Sequence, residues 1–257
     1  MCGLTGLLLE HRSRSPRTMR DIGEVFTRLL LLSEHRGPHA TGVAWVNAAG
    51  EYQVIKHPMP ARSFIQTPDY LAWLDALDGD VTCLLGHTRW PTRGSIHNPT
   101  NNHPVCCPPV LLCHNGSIPD VERHFRRLNL PRLAQVDSEL LARIAQRHAG
   151  EQGIDIHAFL ADLTALDGRM SLAMVATSQP TTCILLKGNM PLDVWHHRRR
   201  GLIAYASEER ILRMALQDKG WQAVEIGAGH GLVCDVSDLR MLEHPRFDFA
   251  GQPASLR

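Results

Sequence analysis

The 257-residue chain carries almost no net charge: Lys+Arg 27 against Asp+Glu 26 leave a formal +1. That removes any general electrostatic case for a nucleic-acid or anionic-membrane partner and turns attention to small-molecule chemistry. A CxxC pair is also lacking. The seven cysteines, Cys2, Cys83, Cys106, Cys107, Cys113, Cys183 and Cys234, are odd in number and mostly sit in apolar runs. This suits reduced, buried thiols in a cytoplasm better than a disulfide framework, and Cys106-Cys107 with Cys113 lacks the spacing of a metal site. No run approaches the ~18–20 apolar residues of a membrane span, and no charged leader with a small-residue cleavage site is found. With no internal repeat and no low-complexity tract, a single domain over 1–238 is expected, with 239–257 as an extended surface tail.

What is present begins at Met1-Cys2-Gly3. Removal of the methionine would leave Cys2 with both a thiol, of pKa near ~8.5, and an α-amine, near ~7.7–8.0. A proton can then pass between nucleophile and base within one residue. The plainer alternative is that Cys2 merely precedes a buried strand.

Leu4 to Leu9 is short and apolar, fit for that strand. Met19, Ile22, Val25, Phe26, Leu29 and Leu30 recur at helical spacing, and Arg36-Gly37-Pro38 stops the helix. Ala40–Val46 and Tyr52–His57 form a hairpin; Pro68–Leu77 is a helix with Leu71, Leu74 and Leu77 on one side; Val81–Gly86 is a buried strand. From His87 to Pro109 runs a long polar loop with five prolines, a length that usually signals function. Val110–Cys113 is a strand entering a turn at His114-Asn115-Gly116. Helices are expected at Pro119–Leu128, Asp137–His148 and Ile154–Leu166. Strands follow at Ser171–Thr177, Thr182–Lys187, Leu202–Ala206, Ala223–Ile226 and Leu232–Val236, with a helix at Ser207–Gln217 capped by Ser207. Consecutive strands without βαβ units point to an α+β layered sandwich on antiparallel sheets.

Several blocks occur in order: Met1-Cys2-Gly3; Arg36-Gly37-Pro38-His39-Ala40-Thr41-Gly42; Gly86-His87-Thr88-Arg89-Trp90-Pro91-Thr92-Arg93-Gly94; Asn101-Asn102-His103-Pro104; His114-Asn115-Gly116; and Asp137-Ser138-Glu139. Weaker echoes follow at Gly188–Leu192 and Ala206-Ser207-Glu208. In this the chain resembles the class II, N-terminal-nucleophile glutamine amidotransferase domains, most closely the glutaminase domain of glucosamine-6-phosphate synthase, here without a synthase domain. The resemblance implies the four-layer αββα sandwich of the N-terminal nucleophile hydrolases. It also implies hydrolysis of L-glutamine to glutamate and ammonia through a Cys2 thioester, with no metal or organic cofactor.

Acyl transfer needs a nucleophile, a base, an oxyanion hole and a site for the far end of the substrate. The resemblance assigns Cys2 to the first two, the Asn115 amide and Gly116 N–H to the third, Arg89 to the α-carboxylate and Asp137 to the α-ammonium. Thr92 would line the carboxylate end, Gly94 would hinge a covering loop, Trp90 would shield the site and guide ammonia, and His103 would lie near the glutamine. Each residue also has a plainer reading: a hairpin turn for Asn115-Gly116, a surface charge for Arg89, a helix N-cap for Asp137, core packing for Trp90, a structural role for His103. Arg93, Pro91 and His39 depart from the family pattern, so the loop is expected to close differently and the carboxylate end to be more basic.

Ammonia is expected to pass to a separate synthetase or transferase subunit. Two rivals stand beside this reading. One is an N-terminal-cysteine amidase for bile-salt or penicillin-like amides, which would need no carboxylate clamp. The other is a catalytically silent ligand-binding or regulatory module of the same fold.

Overall fold

Strand β1 (Gly3–Leu9) is buried along its whole length, and its side chains alternate between two apolar layers. Leu4 and Leu8 enter one cluster, Leu7 and Leu9 another. A strand covered on both faces reads as one continuous apolar run, and β1 is the middle of the molecule. The computed structural model describes residues 1–247.

The remaining strands in chain order are β2 (Ala40–Asn47), β3 (Tyr52–His57), β4 (Val81–Arg89), β5 (Val105–Cys107), β6 (Val110–Ser117), β7 (Ala149–Gly150), β8 (Gly153–Ile154), β9 (Arg169–Ala176), β10 (Gln179–Lys187), β11 (Asp193–His197), β12 (Leu202–Ala206), β13 (Gln222–Val224), β14 (His230–Asp235) and β15 (Leu242–Glu243). The helices are α1 (Pro16–Ser33), α2 (Ala61–Phe64), α3 (Pro68–Asp75), α4 (Val121–Leu128), α5 (Ser138–Arg147), α6 (Ile156–Leu163) and α7 (Glu209–Ala215).

Among the described residues one large sheet has seven strands in the order β13-β11-β12-β1-β4-β2-β3 and the second six, β15-β14-β10-β9-β6-β5, while β7 and β8 pair apart as a two-stranded ribbon. All their pairings are antiparallel. Between the sheets lie Leu4, Leu85, Leu111, Val175, Leu185 and Tyr205. Helices α1, α2, α3 and α7 cover the outer face of the first sheet through Phe26, Phe64, Trp73 and Ile211. Helices α4, α5 and α6 cover that of the second through Phe125, Leu141 and Phe159. The architecture is the expected four-layer αββα sandwich.

Helix α1 forms as its pattern predicts: Ser15 accepts from Thr18 N, Pro16 opens the first turn, and Met19, Ile22, Phe26, Leu29 and Leu30 are buried. A 3₁₀ turn, Glu34–Arg36, ends it at Gly37. A side chain on Gly37 would crowd Trp90 N at 2.6 Å, so glycine lets this turn close on the end of β4.

Several expectations are corrected. Strand β4 runs on through His87, Thr88 and Arg89, and β6 through His114, Asn115 and Gly116, where a loop and a turn were expected. Strand pairing to β1, β2 and β9 supplies the partners for these polar residues, a non-local effect invisible in local pattern. In α3 the buried face is Tyr70 and Trp73, while Leu71 is exposed. Strand β11 was not foreseen. Ser207 does not cap α7; Glu208 precedes it without a side-chain capping bond. Of the supposed surface tail, Leu239 and Phe247 are buried and β15 pairs with β14; residues 248–257 lie outside the described residues. Among the described residues no helix is long and apolar enough to cross a membrane.

Candidate active site

The antiparallel register of β1 and β4 pairs Gly3 with Thr88. One step further along each strand, Cys2 meets the end of β4, where its Sγ accepts from Trp90 N at 3.3 Å and lies 3.5 Å from Trp90 O. Arg36 donates through Nε to the Cys2 carbonyl at 2.7 Å and through Nη1 to Glu208. The residue before β1 is thus tied to the turn after α1 and the start of α7. Burial alone would lift the Glu208 carboxyl, but hydrogen bonds from Arg36 and Arg210 outweigh it and hold the pKa at about 2.

Arg89 is buried with both terminal nitrogens of its guanidinium engaged: Nη1 donates to Asn102 Oδ1 at 2.7 Å, and Nη2 to the carbonyls of Arg93 and, at 3.1 Å, Gly94. Asp137 is buried at the N-terminus of α5, where its carboxylate accepts from Ser138 N at 3.1 Å and from Ile118 N at 2.7 Å. It is therefore the N-cap and also a fixed anion near the thiol. Burial pushes the Cys2 thiol up; the Trp90 N–H, the terminal ammonium and Arg89 pull it down, and Asp137 pushes it up again. Thiol, cation and anion share one electrostatic neighbourhood.

Asn115 joins the two sheets: from β6 its side-chain amide contacts Ser207 Oγ, just past β12, at 2.6 Å. Ser207 Oγ accepts from Leu4 N at 2.8 Å, and Ser207 N donates to Leu4 O at 2.8 Å. This hydroxyl continues the β1–β12 ladder and supports Asn115 together. Gly116 has φ +147 and packs its α-carbon against the Arg169 carbonyl, so a Cβ has no room. His114, expected only as part of a turn, bonds Ser138 Oγ at 3.0 Å and Arg169 O at 3.3 Å, linking β6 to α5 and β9.

His103 is buried and stacks on His87 with ring centroids 4.0 Å apart. Trp90 is not core: 48% exposed, it meets His39 edge-on at 4.8 Å. Thr92 and Arg93 are exposed, and Gly94, at φ +73, faces Asn101 Nδ2 where a Cβ would lie at 2.7 Å. The structure brings together Cys2, Arg89, Trp90 and Asp137; Thr92 and Gly94 lie on the adjoining loop. Sequence reasoning missed four supports: Arg36, His87, Asn102 and Ser207. Each stands inside a block singled out in the sequence, which was the available signal, but their roles depend on contacts made across the fold.

By its four layers and strand order this is the fold of the N-terminal nucleophile glutamine amidotransferase domains. It superimposes with a TM-score of 0.73, at 17% identity, on the glutamine phosphoribosylpyrophosphate amidotransferase of B. subtilis, covering 96% of this chain and 49% of that one. A glutamine aminotransferase class-II domain protein from Silicibacter pomeroyi gives 0.54 at 16%, covering 96% and 100%.

In sequence the chain is similar to glutamine–fructose-6-phosphate aminotransferases over part of their length. It is 30% identical over 201 residues to that of Pyrobaculum aerophilum and 27% over 197 residues to that of Xylella fastidiosa. These matches take in 76% and 75% of this chain but only 31% and 29% of the relatives' length. No protein-family model matches the chain.

Proposed function

We propose that the chain is a glutamine-hydrolysing amidotransferase unit with Cys2 as nucleophile. The observation that carries the reading is the meeting of Cys2, Arg89 and Asp137, from three different elements, within range of one another's charge. Free glutamine presents an α-carboxylate and an α-ammonium, and a buried guanidinium and carboxylate beside a thiol are the complementary set.

In the proposed reaction Met1 is first removed, freeing the Cys2 α-amine. Burial raises the thiol, so at neutral pH it needs a base; the freed amine is covalently attached and takes the thiol proton. The thiolate attacks the side-chain carboxamide carbon. Oxygen becomes negative in the tetrahedral adduct, facing the Asn115 amide and the Gly116 N–H. The ammonium returns its proton to the leaving nitrogen, ammonia departs, and water hydrolyses the glutamyl thioester to glutamate.

The substrate carboxylate takes up Arg89 donors now spent on Asn102 and the Arg93 and Gly94 carbonyls, which couples glutamine binding to the covering loop. Trp90, half-exposed at the mouth, screens the thioester from bulk water. The relatives' names describe amination of fructose 6-phosphate; for this chain we propose an acceptor on a separate polypeptide.

The test is intact mass before and after incubation with the glutamine-like electrophile diazo-oxo-norleucine, with Cys2→Ala as control. Loss of Met1 and a single adduct that Cys2→Ala abolishes are expected. A retained Met1 with no adduct would overturn the reading in favour of a silent module, and adduct formation only with apolar acyl electrophiles would favour another amidase.

A further inference from the structure

Two of the buried polar atoms without a hydrogen-bond partner are Nδ1 of His87 and Oδ1 of Asn115. They belong to neighbours, for the Asn115 amide lies against the His87 ring. Buried and unpaired acceptors are costly, so an adjacent pair of them calls for a physical account.

The chemistry of the groups supplies one. His87 Nε2 lies 3.1 Å from the His114 carbonyl oxygen. A carbonyl only accepts, so Nε2 carries the ring proton. Burial pushes the ring's pKa down to about 3, which keeps a second proton off. Nδ1 is then a lone-pair acceptor, and an amide oxygen is the wrong neighbour for it. The two ends of a carboxamide have nearly the same shape, so the surrounding network decides which end faces which group.

With the Asn115 amide turned over, its NH₂ donates to His87 Nδ1 and its oxygen takes the 2.6 Å contact with Ser207 Oγ. Ser207 then turns its hydroxyl proton from the Leu4 carbonyl, 3.2 Å away, to Asn115 while still accepting from Leu4 N. The Leu4 carbonyl keeps its bond from Ser207 N. Both unpaired acceptors are satisfied, and the second amide N–H of Asn115 is left for a substrate oxygen.

We propose that His87 is the positioning residue of the oxyanion donor: its neutral ring, protonated at Nε2, holds the Asn115 amide through Nδ1 so that one N–H stays directed at the reacting carbonyl. His87 touches no substrate and acts through Asn115; the stacked His103 ring restrains its plane. The inference rests on the glutaminase reading and adds to it the residue that orients the oxyanion hole.

Two measurements test it. In the full chain, ¹⁵N shifts of the His87 ring should show an unprotonated Nδ1 and a protonated Nε2, unchanged between about pH 5 and 8, where an ordinary histidine titrates. Titration in that range, or the opposite tautomer, would overturn the proposal.

The second compares variants. His87→Asn places a carboxamide oxygen where Nδ1 stood, whereas His87→Gln places an amide N–H where Nε2 stood. The first keeps the acceptor for Asn115, and the second keeps only the bond to the His114 carbonyl. His87→Asn should lose no more than about threefold in kcat. His87→Gln should lose about 10–100-fold, short of the roughly 10²–10³ for deleting an oxyanion donor, with KM for glutamine within about twofold. The larger loss in His87→Asn would mean that His87 serves only the His114 backbone, and equal losses that neither bond matters on its own; either result would overturn the proposal. A processed wild-type chain without glutamine turnover would remove the functional reading and this proposal with it, while the ring tautomer would still report on the network itself.

Discussion

The candidate site has two halves built on different principles. Cys2, Arg89, Asn115 and Ser207 stand at the ends of strands β1, β4, β6 and β12, where each is held by named hydrogen bonds from across the fold. Trp90, Thr92, Arg93 and Gly94 belong to the loop after β4, and the first three present exposed side chains. That loop is held chiefly by its carbonyls: Arg93 O and Gly94 O accept from Arg89, Ser95 O from Asn101 and Ile96 O from Asn102. A loop gripped by its backbone keeps its course whichever side chains it carries. Pro91 and Arg93 can thus depart from the family pattern without disturbing the strand-borne half. Reacting groups need fixed geometry and gain from rigid elements, while a cover that must open gains from a loop.

The sharpest way to break this division is Arg89→Lys, because Arg89 belongs to both halves. A single ammonium cannot reproduce the planar fork that serves Asn102 and two carbonyls. Truncating a buried charged partner of this sort typically costs about 2–5 kcal/mol. A rise in KM for glutamine of roughly 10²-fold is therefore expected, together with a lower unfolding midpoint. An unchanged KM would mean that Arg89 only holds the loop.

Ser207→Ala tests the strand-borne half alone. It strands the Leu4 N–H and one end of the Asn115 amide in a buried place, so a loss of about 1–3 kcal/mol in urea unfolding is expected. A loss below about 0.5 kcal/mol would show that the β1–β12 ladder does not need the hydroxyl.

Acid sharpens the contrast further. His87 is held down to about 3 from its usual 6.5, and Glu208 at about 2 from its usual 4.5. In each case the unfolded chain binds the proton first. Stability is full above the unfolded values and falls as pH drops, from about 6.5 toward 3 for His87 and from about 4.5 toward 2 for Glu208. His87→Asn should flatten the first decline and Glu208→Gln the second, measured as urea midpoints from neutral pH downward. A decline that neither variant alters would assign the acid sensitivity elsewhere.

Much of this was legible in the sequence, for identifiable reasons. Continuous apolar runs announced β1 and the cores of β4, β6, β9 and β10, because both faces of each sheet are covered. The 3.6-residue pattern announced α1. What escaped were the polar ends of strands. His87-Thr88-Arg89 and His114-Asn115-Gly116 read as loop and turn since their hydrogen-bond partners are contributed by distant strands. Ser207 looked like a helix cap because Ser before Glu usually is one; Leu4, far off in sequence, claims it instead. Arg36 looked like part of a helix stop, though its guanidinium holds the Cys2 carbonyl. The resemblance located the blocks, and only tertiary contact distinguishes a reacting residue from the neighbour that holds it.

The smallest expected effect falls on Thr92, and it is informative for that reason. Thr92 is exposed on the loop-borne half, so Thr92→Ala should leave stability within about ±0.5 kcal/mol. If the hydroxyl meets the glutamine carboxylate, as the proposed function has it, KM should rise about three- to tenfold, the roughly 0.5–1.5 kcal/mol of one ordinary hydrogen bond, with kcat nearly unchanged. That separation of binding from folding is not open to Ser207 or Arg89, whose partners belong to the fold itself. A Thr92→Ala chain that lost kcat, or whose unfolding midpoint fell as far as that of Ser207→Ala, would place Thr92 with the strand-borne half and erase the division.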